Sequence, residues 1–182
     1  MSKSVSQKIA AQIKPQDVLV ACKLYSLKVA DESWTYVGLG ESVGISSGEA
    51  HNAVDRCRRA AVVGASGVVV RKNLRDLLAV ATPRIFYATR GGLSRGMPTG
   101  IWAPPLVGKF EKGSQTLPTT WPCEDGTCER GESVDPIYPS APIAARDPLV
   151  YELLALVDVI RIGGATDRNR AIEMIDRRMS EK

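Results

Sequence analysis

The amino-acid sequence predicts a mainly α-helical protein with one small β-hairpin, divided into a region of residues 1–87 and a region of residues 88–182. Apolar residues recur at helical spacing in much of the chain before residue 82 and again after residue 147. Valine-rich runs flank residues 64–67, which include two glycines, and this pattern is typical of a hairpin. Eight of the 11 prolines fall within residues 88–147, so that segment is predicted to be irregular.

The first two predicted helices are amphipathic, and the second is short. Apolar side chains recur at helical spacing over residues 16–27 and form a stripe along one side of the helix. Pro15 precedes them, and proline is favoured at the start of a helix. The apolar positions of the second helix are Tyr36, Leu39 and Val43. Gly44 follows at the position where a helix is expected to end, because glycine readily adopts the left-handed conformation.

Ser46 is predicted to begin a third helix that runs to about residue 60. Ser46 and Glu49 have the spacing of a capping box, in which each side chain accepts a hydrogen bond from the other residue's backbone N–H. The apolar face of this helix consists of Ala50, Ala53, Val54 and Cys57. The valine-rich hairpin comes directly after it, and Asn73 is then expected to cap a helix over residues 73–81 that ends before Pro83.

Regular structure is predicted to return at Asp147, an N-cap residue followed by Pro148. The helix over residues 148–162 is apolar on most sides, which predicts burial, and we expect it to mediate dimerisation. Gly163 and Gly164 end this helix. The last helix is polar and amphipathic, and its apolar side consists of Ala171, Ile172, Ile175 and Met179.

The order of helix, helix, glycine turn, helix and hairpin is that of a winged helix-turn-helix. Gly40, Gly44, Ile45 and Ser46 match a pattern of small residue, turn glycine, apolar plug and cap. Over about residues 15–85 the chain resembles MarR-like and related bacterial winged helix-turn-helix regulators. Gly40 departs from the alanine that is more usual there, and on helix propensity alone this lowers the stability of the second helix by about 1 kcal/mol.

This resemblance implies DNA binding, with the third helix in the major groove and the neighbouring hairpin on the phosphates. Asn52 is expected to pair with adenine, Arg56 to contact guanine or a phosphate, and Ser47 to contact a phosphate at the helix N-terminus. Arg58 and Arg59 are expected to neutralise the DNA backbone. The complete set of expected DNA-binding residues is Ser46, Ser47, Gly48, His51, Asn52, Arg56, Arg58, Arg59, Arg71 and Lys72.

The distribution of charge favours a polyanionic partner for the first half of the chain only. The net charge is +4, but residues 1–90 carry 13 Lys and Arg against 7 Asp and Glu, whereas residues 91–182 carry 11 against 13. The second half is therefore expected to face away from DNA.

Other kinds of site are weakly supported. Cys123 and Cys128 have the spacing of half a zinc site or of a redox-sensing disulfide, but a plain loop without metal is expected because the chain has one histidine. That histidine, His51, lacks a catalytic partner at recognisable spacing, so we expect no enzyme activity and no cofactor. The glycine-rich segment at residues 91–100 lacks the ending of a phosphate-binding loop.

The predicted function is sequence-specific binding of double-stranded DNA by a cytoplasmic transcriptional regulator, with repression as the expected mode. A signal-peptide pattern and a membrane-spanning run are both absent from the sequence. Helices of this kind usually read half-sites as twofold pairs, which predicts a homodimer. The alternative is an adaptor or antitoxin-like protein whose segment 88–147 binds a partner protein through the apolar anchors Trp102, Leu106, Phe110, Trp121 and Tyr138.

Overall fold

The computed structural model describes residues 12–112, 117–123 and 129–181. Its helices are α1 (Pro15–Val29), α2 (Tyr36–Val43), α3 (Ser47–Arg59), α4 (Arg71–Asp76), α5 (Thr82–Ile85), α6 (Ala141–Ala144), α7 (Pro148–Ile162) and α8 (Ala165–Ser180). A π-helical turn, Leu77–Ala81, joins α4 to α5, and two 3₁₀ turns cover Gly100–Trp102 and Pro104–Leu106. The strands are β1 (Arg90–Thr99), β2 (Thr119–Pro122) and β3 (Glu129–Val134). The prediction of a mainly helical chain is confirmed.

Helix α7 lies at the centre of the molecule. Asp147 caps it as predicted, because one carboxylate oxygen accepts the backbone N–H groups of Leu149 at 2.9 Å and Val150 at 3.2 Å. Most of α7 is buried against α1, α8, α5 and the 3₁₀ turns of the same chain. The apolar surface of α7 that suggested dimerisation is therefore covered by other elements of the same chain, and it does not support a dimer.

The hydrophobic core is continuous across the two regions expected from the sequence. Buried residues of α1, α3 and α4 belong to the same cluster as those of α7 and α8. The Asp147 carboxylate adds a polar link, since it also accepts hydrogen bonds from Lys23 Nζ at 2.7 Å and Ser26 Oγ at 2.6 Å on α1. The two regions thus pack as one unit around α7.

The turn between α2 and α3 follows the sequence prediction closely. Gly44 adopts the left-handed conformation with φ of 71°, and the Ile45 N–H donates to the Gly40 carbonyl at 2.9 Å. A Cβ on Gly40 would lie 2.7 Å from the Ile45 carbonyl oxygen, so α2 and the turn that follows it approach too closely there for alanine. Steric exclusion, rather than helix propensity, explains glycine at this position.

Ser46 caps α3 as predicted, but the capping box is incomplete. Its hydroxyl accepts the Glu49 N–H at 3.1 Å. The Glu49 carboxylate does not return to Ser46; it accepts hydrogen bonds from Gln16 at 2.9 Å and from Arg56. The tertiary contact with α1 therefore replaces half of the local motif.

The predicted hairpin is present in a minimal form. A single antiparallel bridge joins Val63 to Val69, and the Gly64 N–H donates to the Val68 carbonyl at 2.8 Å. We refer to residues 62–70 as the 62–70 hairpin. Ala61, just before it, has a φ of 56°.

The prediction for the fourth helix is wrong at both ends. Helix α4 begins at Arg71, and the Asn73 side chain does not cap it but donates to the Ala61 carbonyl at 2.7 Å. The helical path also continues past Pro83 to Ile85. Pro83 is the second residue of α5 and directly follows the π-helical turn, at the end of which the Thr82 N–H donates to the Leu77 carbonyl five residues earlier.

Segment 88–147 contains a small sheet that the sequence analysis missed. Strand β1 pairs antiparallel with β2 and β3, and β2 pairs parallel with β3, so the three strands close on themselves. A Cβ on Gly96 would lie 2.0 Å from the Trp121 carbonyl oxygen, and one on Gly131 would lie 2.3 Å from that of Pro118. The glycines that suggested irregular structure are therefore required for closure.

Asp158 of α7 links this sheet to the helices through hydrogen bonds. Its carboxylate is 1% exposed and accepts hydrogen bonds from Thr99 Oγ1 at 2.7 Å, Trp121 Nε1 at 2.5 Å and Arg161 Nη1 at 2.6 Å. Burial raises the pKa of Asp158. Trp121, together with Leu106 and Phe110, is buried in the protein's own core, so these three predicted partner anchors are already in use.

Candidate nucleic-acid interface

The N-terminal half of α3 presents a polar surface to solvent. Ser47, Gly48, His51 and Asn52 are exposed, as is the capping residue Ser46. The opposite face consists of Ala50, Ala53, Val54 and Cys57, all 0% exposed. These four residues hold α3 against α1 and α2, and the exposed side chains follow from that orientation.

Arg56 does not belong to this surface, and its burial argues against the predicted DNA contact. The residue is 6% exposed, and its guanidinium makes a bidentate ion pair with Asp17 of α1, with Nε to Oδ2 at 2.8 Å and Nη2 to Oδ1 at 2.7 Å. Nη2 also donates to Glu49 at 2.5 Å. This network ties α3 to α1 and leaves the guanidinium unavailable to a ligand.

The electrostatics of the Arg56 network favour its charged state. Hydrogen bonding to Asp17 raises the pKa of Arg56 despite the partial burial of the guanidinium. Desolvation opposes ionisation of Glu49, but hydrogen bonds from Arg56 and Gln16 outweigh it and lower the pKa of that carboxyl. Glu49 and Arg56 therefore both stay ionised around neutral pH.

Two predicted phosphate-binding arginines lie at the C-terminal end of α3. Arg59 is exposed and pairs with Asp55 at 2.9 Å. Arg58 is also exposed, and it approaches the 62–70 hairpin: a Cβ on Gly67 would lie 3.9 Å from Arg58 Nη2. The structure thus brings Arg58 and the hairpin together.

Arg71 and Lys72 are the first two residues of α4, and their side chains have different surroundings. Lys72 is exposed, whereas Arg71 is half-buried over the Tyr25 ring, with 5.8 Å from Cζ to the ring centroid. Arg71 also donates to the Glu181 carbonyl near the end of α8. Its guanidinium is engaged by α1 and the C-terminal segment, so Lys72 is the better placed of the two to meet a phosphate.

A cluster of aromatic rings beside α3 escaped the sequence analysis. Trp34 and Tyr36 meet edge to face with their centroids 5.3 Å apart, and Tyr36 lies 5.0 Å from the His51 ring. Trp34 and Tyr36 are both half-buried, so the cluster lies at the edge of the core. The sequence feature that would have indicated this cluster is the pair of aromatic residues on either side of Thr35, the N-cap of α2.

Cysteines supply no metal centre in the described part of the chain. Cys128 lies outside the described residues, and within them no group of three or more His, Cys, Asp or Glu side chains could hold a metal ion. Cys22 and Cys57 are buried, and burial raises the pKa of both thiols, that of Cys57 to about 12. These two thiols are therefore protonated at neutral pH.

Among the helices of the described residues, none is long and apolar enough to cross a membrane. Comparison of the chain with protein families, with curated proteins and with solved structures found no match. Its likeness to MarR-like regulators therefore remains a resemblance, carried by the residues around Gly40 to Ser46.

Proposed function

We propose that this protein is a transcriptional regulator that binds double-stranded DNA sequence-specifically by placing α3 in the major groove. The observation that carries the proposal is the exposed polar half of α3, presented directly after a capped glycine turn. An α-helix fits the major groove, and the N-terminal residues of such a helix meet base edges. The 62–70 hairpin takes the position of a wing.

In this proposal different residues on and near α3 contact the bases and the phosphates of DNA. Asn52 pairs with adenine through its amide, and Ser47 contacts a phosphate near the positive end of the helix dipole. Arg58 and Lys72, both exposed, neutralise phosphates. Arg56 has a different role, because its ion pair with Asp17 sets the orientation of α3 on α1.

A homodimer and repression remain parts of the proposal. Two copies of α3 on half-sites about one helical turn apart would read a palindrome. A dimer bound across a promoter would repress by excluding the polymerase. Because α7 is covered within the chain, the dimer contact must use a different surface. Light scattering of the full chain measures this directly, and a strict monomer that binds a single half-site contradicts the dimer.

Selection from a random duplex library tests DNA binding with the full-length protein. We expect enrichment of one motif. Asn52→Ala should reduce the preference for that motif over scrambled duplex by a factor of about 5 to 150, since a good bidentate base contact is worth about 1–3 kcal/mol. Fluorescence anisotropy measures both affinities. Asn169→Ala on α8 is the matched control, because Asn169 is also an exposed helical asparagine.

The phosphate contacts give a second readout in the same experiment. Arg58→Ala should weaken binding to all duplexes alike and lower the slope of log Kd against log salt by about 1. Arg177→Ala removes an equal charge from the exposed side of α8 and should leave that slope unchanged. If no duplex is enriched, or if Asn52→Ala and Asn169→Ala behave alike, the assignment of α3 is wrong.

A further inference from the structure

Three aromatic residues form a continuous line of ring contacts between the loop before α2 and the N-terminal half of α3. Trp34 precedes α2, Tyr36 is its first residue, and His51 lies on α3. The Trp34 and Tyr36 rings are nearly perpendicular, at 80°, and the Tyr36 and His51 rings are inclined at 58°. We call Trp34, Tyr36 and His51 the aromatic bridge.

The backbone around Thr35 explains why the first two rings meet. Thr35 is extended, with φ of −121° and ψ of 160°, so the residues on either side of it project to the same side. Its hydroxyl accepts the Gly38 N–H at 3.1 Å, which fixes the first turn of α2. The start of that helix therefore places Tyr36 against both neighbouring rings.

The other end of the bridge faces the hairpin. A Cβ added to Gly67 would lie 3.7 Å from Trp34 Cζ2 and 3.9 Å from Arg58 Nη2. The indole and the Arg58 guanidinium therefore both lie beside the hairpin turn.

His51 gains a restricted orientation from this arrangement. A histidine on an exposed helix surface is ordinarily free to change rotamer, and ordering it upon binding costs conformational entropy. Contact with Tyr36 restricts the ring before any ligand arrives, while the residue as a whole stays exposed. Because the ring is already oriented, a hydrogen bond from it in one defined direction costs less conformational entropy on binding.

We propose that Tyr36 is a positioning residue that orients His51 to donate an imidazole N–H to guanine. The inference rests on the proposed DNA binding. Guanine offers two adjacent acceptors, N7 and O6, in the major groove, whereas adenine places a donor beside its N7. His51 thereby discriminates at one base pair of the site.

Affinity for the selected duplex and for each of its single base-pair variants tests the proposal. His51→Ala and Tyr36→Ala should both lose discrimination at one and the same G·C pair, by about tenfold, and keep it elsewhere. Tyr36→Phe should retain discrimination, because the ring and not the hydroxyl makes the contact. The double variant should lose no more than either single variant, since the two residues act as a unit.

The free protein offers an independent readout. The chain has one histidine, so the imidazole proton signals of His51 are unambiguous in an NMR spectrum. Ring currents from Tyr36 should displace those signals in the wild type, and Tyr36→Leu should return them toward the values of an exposed histidine. Thermal unfolding of each variant establishes that it is folded.

The possible failures are distinguishable. If no duplex is enriched by the wild-type protein, the proposed function falls, and the guanine contact falls with it. If a motif is enriched but Tyr36→Ala keeps full discrimination, or weakens binding to all duplexes uniformly, the positioning role alone is refuted. Unchanged His51 signals in Tyr36→Leu would refute it without DNA.

Discussion

Arg56 shows how tertiary contacts assign a role to a single residue. Glu49 and Arg56 are seven positions apart on α3 and therefore share one face of the helix. That face meets α1 at Asp17, which is 0% exposed and immediately precedes the apolar run of residues 18–22. A buried carboxylate needs a cation beside it, but the sequence does not say which cation supplies it.

Arg56→Ala should lower the free energy of unfolding by about 3–5 kcal/mol, because it leaves the Asp17 carboxylate buried without its counterion. Urea denaturation measures the change. The double variant Asp17→Leu with Arg56→Met should be more stable than Arg56→Ala, since it removes both charges and keeps apolar volume. A loss below about 1 kcal/mol for Arg56→Ala would mean that the pair is not buried in solution.

At the scale of elements, local rules predicted the helices better than the strands. Caps and turn residues such as Thr35, Gly44, Ser46 and Asp147 act within a few positions of the chain, and the helices they bound lie where they were expected. The strands of segment 88–147 contain residues with low β propensity, including Gly96 and Gly131. Their pairing depends on contacts between distant segments, which the sequence pattern does not display.

The α2–α3 turn gives a prediction with an internal control. Gly40→Ala should destabilise the protein by about 1–3 kcal/mol, because its Cβ would press on the Ile45 carbonyl, and this outweighs the gain of about 1 kcal/mol in helix propensity. Gly48→Ala on α3 should be stabilising by about 0.5–1 kcal/mol, since a Cβ there meets nothing within 4 Å.

Thermal and urea unfolding of both glycine variants separates sterics from propensity. If Gly40→Ala and Gly48→Ala are stabilised equally, the close approach between α2 and the following turn is absent in solution. Circular dichroism at a fixed temperature before unfolding establishes whether either variant changes the helix content of the native state.

At the scale of the whole molecule, α7 joins the helices of the first region to the sheet. It contacts α1 and α8 through apolar side chains and holds Thr99 and Trp121 through Asp158. The boundary expected near residue 87 separates two stretches of different composition, but the core crosses it. The protein is therefore expected to unfold as one cooperative unit.

Coincidence of probes tests this cooperativity. Tryptophan fluorescence, to which Trp102 and Trp121 contribute, and far-ultraviolet circular dichroism should give the same urea midpoint. A fragment of residues 1–87 should be largely unfolded, because α1 would lose the cover of α7. Two separate transitions, or a fragment as stable as the full chain, would contradict a shared core.

Sequence patterns alone predicted the α1 to α3 order, the glycine turn, the cap of α7 and the polar residues on α3. These features depend on interactions within a few residues, which periodicity and capping patterns reveal. DNA binding by that surface remains a prediction. Packing was needed to show that Arg56 is buried, that α7 is covered by its own chain, that segment 88–147 forms a sheet and that Tyr36 meets His51. Each of these depends on residues far apart in the chain, whose proximity results from packing of the common core.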